Sequence, residues 1–311
     1  MSFSNDVRNE LTRIIPEKSC CRKAELAALL MLRADIEENK DGRPCLITTV
    51  ENATPARKIY RLLKKAYGLS SSVQVQEKKR FRKSRLYLVE TPLNSPGGDD
   101  LRRDLGVSAK GVKRQVNWAL IGKTCCKRAF LRGIFISRGF INRPEGNYHL
   151  EIVLNDSRLV SDVGKIMQKL EVEARISERK SSLLLYIKES EKIVDFLRIV
   201  EASRALLDFE NVRIIKSMRN QVNRQVNCET ANLAKTVDAS VRQVEMIEKL
   251  IGKIGVKGIP GNLRELALVR LDHPDSTFRE LGVMLNPPLT KSGVAYRMKK
   301  LESFAAAVCD E

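Results

Sequence analysis

Two pairs of adjacent cysteines, Cys20-Cys21 and Cys125-Cys126, are the residues of this 311-residue chain that most invite a metal or redox chemistry. The other three of its seven cysteines stand alone, and no CxxC spacing occurs. Adjacent cysteines close into a disulfide only with strain, and neither pair has a third or fourth ligand at a metal-site spacing along the chain. They read as thiols packed near a helix start, where a thiolate could be favoured. An odd count without a ligand framework fits a reducing cytosol. With only His149 and His273, a multi-histidine metal site or a His-based triad is nearly excluded, and both read as structural. Asp104, Glu151 and Asp162 have no paired partner in the repeat described below and receive no acid–base role. The expectation is no catalytic group, no metal and no cofactor, with Trp118 in the core.

What the composition does supply is charge. Lys and Arg number 56 against 38 Asp and Glu, a formal net charge of +18, with 43% hydrophobic residues. That describes a soluble globular chain of about two domains with a polyanionic partner, nucleic acid before an anionic membrane surface. The longest apolar runs, such as Leu26–Leu32, fall far short of the ~20 residues that span a bilayer. The opening MSFSNDVRNEL has no basic stretch leading into an apolar one. The charge is uneven: residues 1–221 carry +16 and residues 222–311 carry +2. The densest run, EKKRFRKSR, puts Lys78, Lys79, Arg80, Arg82, Lys83 and Arg85 at a hairpin, and Arg102, Arg103, Lys110, Lys113 and Arg114 form a second group. Such side chains serve as secondary phosphate contacts, each adding about −0.9 to the log–log salt slope without specifying sequence. A solvated hairpin tip is the plainer reading of the same run.

The elements that position these residues are repeated. SCCRKAELAALLMLRADI (residues 19–36) matches TCCKRAFLRGIFISRGFI (124–141) at an offset of 105, aligning both cysteine pairs, Arg33 with Arg138 and Ala28 with Gly133. Each copy continues with two strands, an amphipathic helix (Ile59, Leu62, Leu63, Ala66; Val163, Ile166, Met167, Leu170), and a hairpin over Val73–Val89 or Val172–Ile187. A further helix follows each, at Asp100–Leu120 and Glu191–Leu207, with Thr91–Asp100 as the loop out of the first half. The first helix of each copy is apolar nearly all round, so it is buried on both sides. The small residues Ala28 and Gly133 would let the two helices meet closely at a pseudo-twofold axis, joining the sheets into one saddle.

Two such αββαββ halves, the second reading FLRGIFISRG, resemble the LAGLIDADG homing-endonuclease fold. That resemblance implies a saddle sheet over the DNA major groove and a metal-holding acid near the end of each central helix. Here the acid positions hold Arg33 and Arg138, which repel Mg²⁺ rather than ligate it. Asp35 lies two residues further on, and its counterpart is Phe140. The expectation is a nuclease-inactive domain over residues 1–215, with pseudo-repeats at about 19–120 and 124–207.

Residues 216–230, rich in Asn, Gln and Arg, read as an exposed helix or linker between domains, and residues 231–311 as an all-α domain. Asn232–Lys253 reads as two short helices broken near Asp238-Ala239-Ser240, followed by a helix at Leu263–Leu271. Thr277 and Glu280 form a capping box, Asn286-Pro287-Pro288 stops that helix, and Thr290 caps a last one. Short helix, tight turn and longer helix describe a helix-turn-helix at about 275–308. Its expected DNA-binding residues are Thr290, Lys291, Ser292, Tyr296, Arg297, Lys299 and Lys300, with Lys291 and Ser292 at base edges and Arg297 and Lys300 on phosphates.

The tail HPDSTFRELGVMLNPPLTKSGVAYRMKKL (273–301), with FLRGIFISRGFI and SFSNDVRNEL, resembles the WhiA family over essentially the whole chain. The resemblance implies a bacterial DNA-binding regulator of sporulation, cell division and chromosome segregation, located in the cytoplasm at the nucleoid. Its partners would be double-stranded DNA and a regulator or division protein on the N-terminal domain, with no membrane. A nonspecific nucleoid-associated or divisome-interacting protein is the alternative, and an active homing endonuclease a more distant one.

Overall fold

The computed structural model describes residues 2–38, 42–78, 84–108, 111–179 and 182–309. The chain divides into two compact units, Met1–Ser217 and Met218–Glu311.

The first unit opens with α1 (Phe3–Arg13), capped by the Ser2 hydroxyl. It continues through α2 (Ser19–Arg33), β1 (Ala34–Glu38), β2 (Pro44–Val50), α3 (Ala53–Tyr67), β3 (Ser72–Lys78) and β4 (Ser84–Pro92). After α4 (Pro96–Leu105) and the short hairpin β5 (Val107–Ser108) and β6 (Gly111–Val112), the pattern recurs. The second copy is α5 (Thr124–Arg138), β7 (Gly139–Ile141), β8 (Leu150–Leu154), α6 (Ser157–Gln168), β9 (Arg175–Arg179) and β10 (Ser182–Ile187), followed by α7 (Ser190–Ile199). Both sheets are antiparallel with equivalent orders, β1-β2-β4-β3 and β7-β8-β10-β9. Among the described residues no strand ladder joins the two sheets.

The duplicated αββαββ pattern is observed, and successive residues of each strand point to opposite sheet faces. Leu46, Thr48 and Val50 on β2, with Val89 and Thr91 on β4, bury one face beneath the helices. Helices α2 and α5 pack against each other as the centre of the unit. A Cβ on Gly133 would lie 2.6 Å from the Glu25 carbonyl oxygen and 2.8 Å from the Ala28 Cβ, so only glycine permits this approach. The seam also buries charge. The Glu25 carboxylate is fully buried and pairs with Lys58 of α3 and with Arg132 of α5, whose Nε lies 3.2 Å away. Lys58 donates to the carbonyls of Leu11 and Ile14, both at 2.7 Å, and Arg132 to that of Val200 at 3.2 Å.

Several elements differ from expectation. The expected loop Thr91–Asp100 holds the start of α4, where the Ser95 hydroxyl accepts from the Gly98 N–H at 3.3 Å. That helix stops at Leu105 instead of running to Leu120, because Gly106 takes a left-handed φ of 62° and β-branched Val107 begins a strand. The helix expected over Glu191–Leu207 is broken at Glu201, whose φ is 66°. Trp118 is 37% exposed instead of core, with the Lys169 ammonium over its ring at 5.1 Å.

Helix α8 (Ser203–Ile254) runs as a helix through residues 216–230 and is continuous at Asp238-Ala239-Ser240, where a break was expected. Residues 217–238 are exposed, while Ser240, Gln243, Ile247 and Leu250 recur at helical spacing as buried residues of the second unit. Their burial outweighs the weak helix propensity of Asp and Ser. The second unit adds a 3₁₀ turn (Val256–Gly258), α9 (Gly261–Asp272), α10 (Phe278–Met284) and α11 (Lys291–Cys309). Leu263, Leu266, Leu281, Leu285, Val294, Met298 and Leu301 form its core.

Candidate nucleic-acid interface

Helices α10 and α11 are joined by a turn that several independent contacts hold. At its start the Thr277 hydroxyl accepts from the Glu280 N–H, and the Glu280 carboxylate accepts from the Thr277 N–H at 2.7 Å. The Thr277 N–H, and after it the Thr277 hydroxyl, hold the Glu280 carboxyl below the usual carboxylate range. Arg270 of α9 donates to the carbonyls of Pro274 and Ser276, at 3.2 and 2.7 Å, and lies over the Phe278 ring. In the turn the Leu289 N–H donates to the Gly282 carbonyl at 2.8 Å, and the Asn286 N–H to the Glu265 carboxylate at 2.7 Å. A Cβ on Gly282 would lie 2.2 Å from the Leu289 carbonyl oxygen, so the turn is this tight only with glycine there. The Thr290 hydroxyl caps α11 by accepting from the Gly293 N–H at 3.2 Å.

Val294, Met298, Leu301 and Ala305 seat α11 on the core. At about 100° per residue, Ser292, Tyr296 and Lys299 then lie along the side pointing away from it. All three are exposed, and the Lys300 ammonium lies 4.8 Å over the Tyr296 ring. Lys291 and Arg297 fall on opposite flanks, Lys291 exposed and Arg297 half-buried. Lys291 also borders a cavity of about 290 Å³ with Lys235, Ser240, Gln243 and Phe278.

In the first unit, Arg33 and Arg138 are the last residues of α2 and α5, side by side at one end of the helix pair. Arg33 donates to the Ser137 carbonyl at 2.6 Å, and burial, then the nearby Arg138 charge, lower its pKa. Two cations therefore stand together at this end of the helix pair. Asp35 faces Arg114 at 3.5 Å instead. The open sheet faces mix acidic, apolar and basic residues among the described positions. Strand register sets Asp35, Ile47, Glu90 and Ser72 in one row, and Phe140, Glu151, Tyr186 and Arg175 in its counterpart. Of the basic hairpin, Arg85 is exposed opposite Glu77 and Lys78 ends β3, while Lys79, Arg80, Arg82 and Lys83 lie outside the described residues. Arg102 and Arg103 are paired with Asp99 and Asp100, and Lys110 lies outside the described residues.

The two cysteine pairs do not stand apart. The sulfurs of Cys20, Cys21, Cys125 and Cys126 all lie within 4.8 Å of one another. Judging each pair along the sequence missed this; the 105-residue repeat was the signal, since equivalent positions on helices crossing at a pseudo-twofold axis must meet.

A duplicated αββαββ unit whose central helices end in Arg33 and Arg138, followed by a helix-turn-helix unit, defines a LAGLIDADG-like protein coupled to a helix-turn-helix module. Matches to known families follow that division: the WhiA N-terminal LAGLIDADG-like domain over residues 19–108, the WhiA LAGLIDADG-like domain over 127–219, and the WhiA C-terminal HTH domain over 222–305. The chain belongs to the WhiA family. It is 56% identical over 314 residues to the probable cell division protein WhiA of Syntrophomonas wolfei subsp. wolfei, covering 100% of both chains. The probable cell division protein WhiA of Heliobacterium modesticaldum is 45% identical over 309 residues, 99% of this chain and 97% of that one. The crystal structure of full-length DUF199/WhiA from Thermatoga maritima is similar with a TM-score of 0.59 at 25% identity, covering 99% of each chain. Among the described residues, no helix is long and apolar enough to cross a membrane.

Proposed function

We propose that this chain is a sequence-specific DNA-binding regulator of transcription, acting in bacterial cell division, sporulation or chromosome segregation, and that its LAGLIDADG-like unit is not a nuclease. The observation that carries this reading is the outward side of α11, where Ser292, Tyr296 and Lys299 succeed one another on a helix held by a tight helix-turn-helix. In a major groove, Ser292 and Tyr296 would meet base edges with Lys299 one turn further on, and Lys291, Arg297 and Lys300 would meet phosphates. The Thr290 hydroxyl serves the helix cap. Lys78–Arg85 adds phosphate contacts that strengthen binding to any sequence. The relatives' name, probable cell division protein, supports the cellular setting. Paired Arg33 and Arg138 support the loss of nuclease chemistry, since both repel a divalent cation.

The test is selection of bound fragments from a random DNA pool with the full chain at near-physiological salt. The expected result is one short enriched motif, altered by Ser292→Ala or Tyr296→Ala, with no Mg²⁺-dependent nicking of supercoiled DNA. Salt-sensitive binding without enrichment would replace this reading with a nonspecific nucleoid-associated protein.

A further inference from the structure

The four-cysteine cluster takes no part in that reading, and its geometry is that of a ligand set. Helix α2 begins at Ser19 and α5 at Thr124, so each delivers an adjacent pair of sulfurs from its first turn. The Cys20 and Cys21 sulfurs are 4.0 Å apart, and across the seam Cys21 meets Cys125 while Cys20 meets Cys126. Tetrahedral Zn²⁺ with Zn–S bonds of about 2.3 Å requires sulfur–sulfur edges of about 3.8 Å. With every pair already inside 4.8 Å, sub-ångström shifts would close that tetrahedron.

The surroundings suit the charge such a site would carry. Four thiolates around one divalent cation leave a net charge of −2. Neither helix has an acidic residue in its first turn, and neither N-cap, Lys18 or Lys123, supplies a side-chain cap. Both N-terminal dipoles, each roughly half a positive charge, therefore stand without their usual negative complement beside the sulfurs. The Lys18 ammonium adds its field at Cys125. Cys21 and Cys126 are buried while Cys20 and Cys125 are half-exposed, which leaves an ion a way in.

We propose that Cys20, Cys21, Cys125 and Cys126 form a closed structural site for a single thiophilic divalent cation, zinc by preference, that fastens the two halves of the LAGLIDADG-like unit at the N-terminal ends of their central helices. Each metal–sulfur bond forms as the thiol releases its proton to solvent, with no change of oxidation state. Four protein ligands leave no open position, so the role is structural rather than catalytic.

The test uses the full chain, purified under reducing conditions without chelator. Elemental analysis is expected to find one zinc per chain. Cobalt added to the reduced, metal-free protein is expected to give the visible ligand-field and near-ultraviolet sulfur-to-cobalt bands of a tetrahedral thiolate site, saturating at one equivalent and erased by zinc. Zinc should protect these four cysteines from alkylation while exposed Cys228 still reacts, and it should raise the thermal midpoint. The double variant Cys20→Ser with Cys125→Ser should lose the spectrum and the thermal shift. Absence of both zinc and the cobalt spectrum in fully reduced wild-type protein overturns the proposal without any variant having to fold. So does a spectrum that survives the double variant. A disulfide among these four in protein kept from air would likewise overturn it, assigning the cluster to thiol redox chemistry.

Discussion

Replacing Glu25 by glutamine tests whether the buried charge at the helix seam is held by its carboxylate. The change keeps the shape and removes the carboxylate paired with Lys58, whose side chain has no exposure. Arg132 keeps Glu201 and the Val200 carbonyl, whereas Lys58 keeps only the carbonyls of Leu11 and Ile14. If Lys58 stays charged, stripping a buried pair of one partner costs about 3–5 kcal/mol. If it sheds its proton, bringing a pKa of about 10.4 below pH 7 costs about 4.6 kcal/mol. Both routes converge on a similar loss, and pH separates them. In the wild type burial lowers Lys58 to about 8 against the opposing pull of Glu25, so its proton is still bound at pH 7 in both folded and unfolded chains. In the variant a neutral folded Lys58 binds fewer protons than the unfolded chain, so stability rises with pH by up to about 1.4 kcal/mol per unit. The gap between variant and wild type should therefore narrow between pH 7 and 8 and then hold. Urea unfolding followed by fluorescence reads the first unit alone, because Trp118 is the single tryptophan. A loss below about 1 kcal/mol would refute the argument that Glu25 compensates these cations. A large loss that does not change with pH would place Lys58 in its charged form.

Three further outcomes follow from the second unit. Gly282→Ala should destabilise it by about 1–3 kcal/mol despite the better helix propensity of alanine, because the new methyl meets the Leu289 carbonyl; a neutral or stabilising result in thermal unfolding would show that the turn can open. Glu280 has a lowered carboxyl pKa, so its contribution to the cap is present above the ordinary value near 4.5 and is lost as pH falls through the lower folded value. NMR titration should show Thr277 and Glu280 amide shifts following that acid step in the wild type and not in Glu280→Gln. Joint Lys299→Ala and Lys300→Ala substitution should reduce the log–log salt slope of DNA binding by about 2 if both contact phosphates, and by about 1 if Lys299 reads a base.

Local pattern determined much of this protein before any tertiary contact. The 3.6-residue spacing of Ile59, Leu62 and Leu63 and the Thr277–Glu280 capping box are properties of neighbouring residues. The αββαββ duplication and the helix-turn-helix were therefore legible, because each rests on spacing within one element or on comparison of two segments.

Other features depended on residues far apart in sequence. The Asp238-Ala239-Ser240 signal pointed to a break, yet α8 runs through it because the following turns are buried in the second unit. Trp118 looked like core by residue type, and its location in a loop leaves it partly exposed. Glu25, Lys58 and Arg132 gave no sign of partnership, since they lie on three helices. The cysteine pairs show the distinction most directly. Their repetition is written in the sequence, but their meeting requires two helix starts 105 residues apart to be carried to one point. Only close packing at Gly133, where any larger side chain would separate α2 from α5, brings that about.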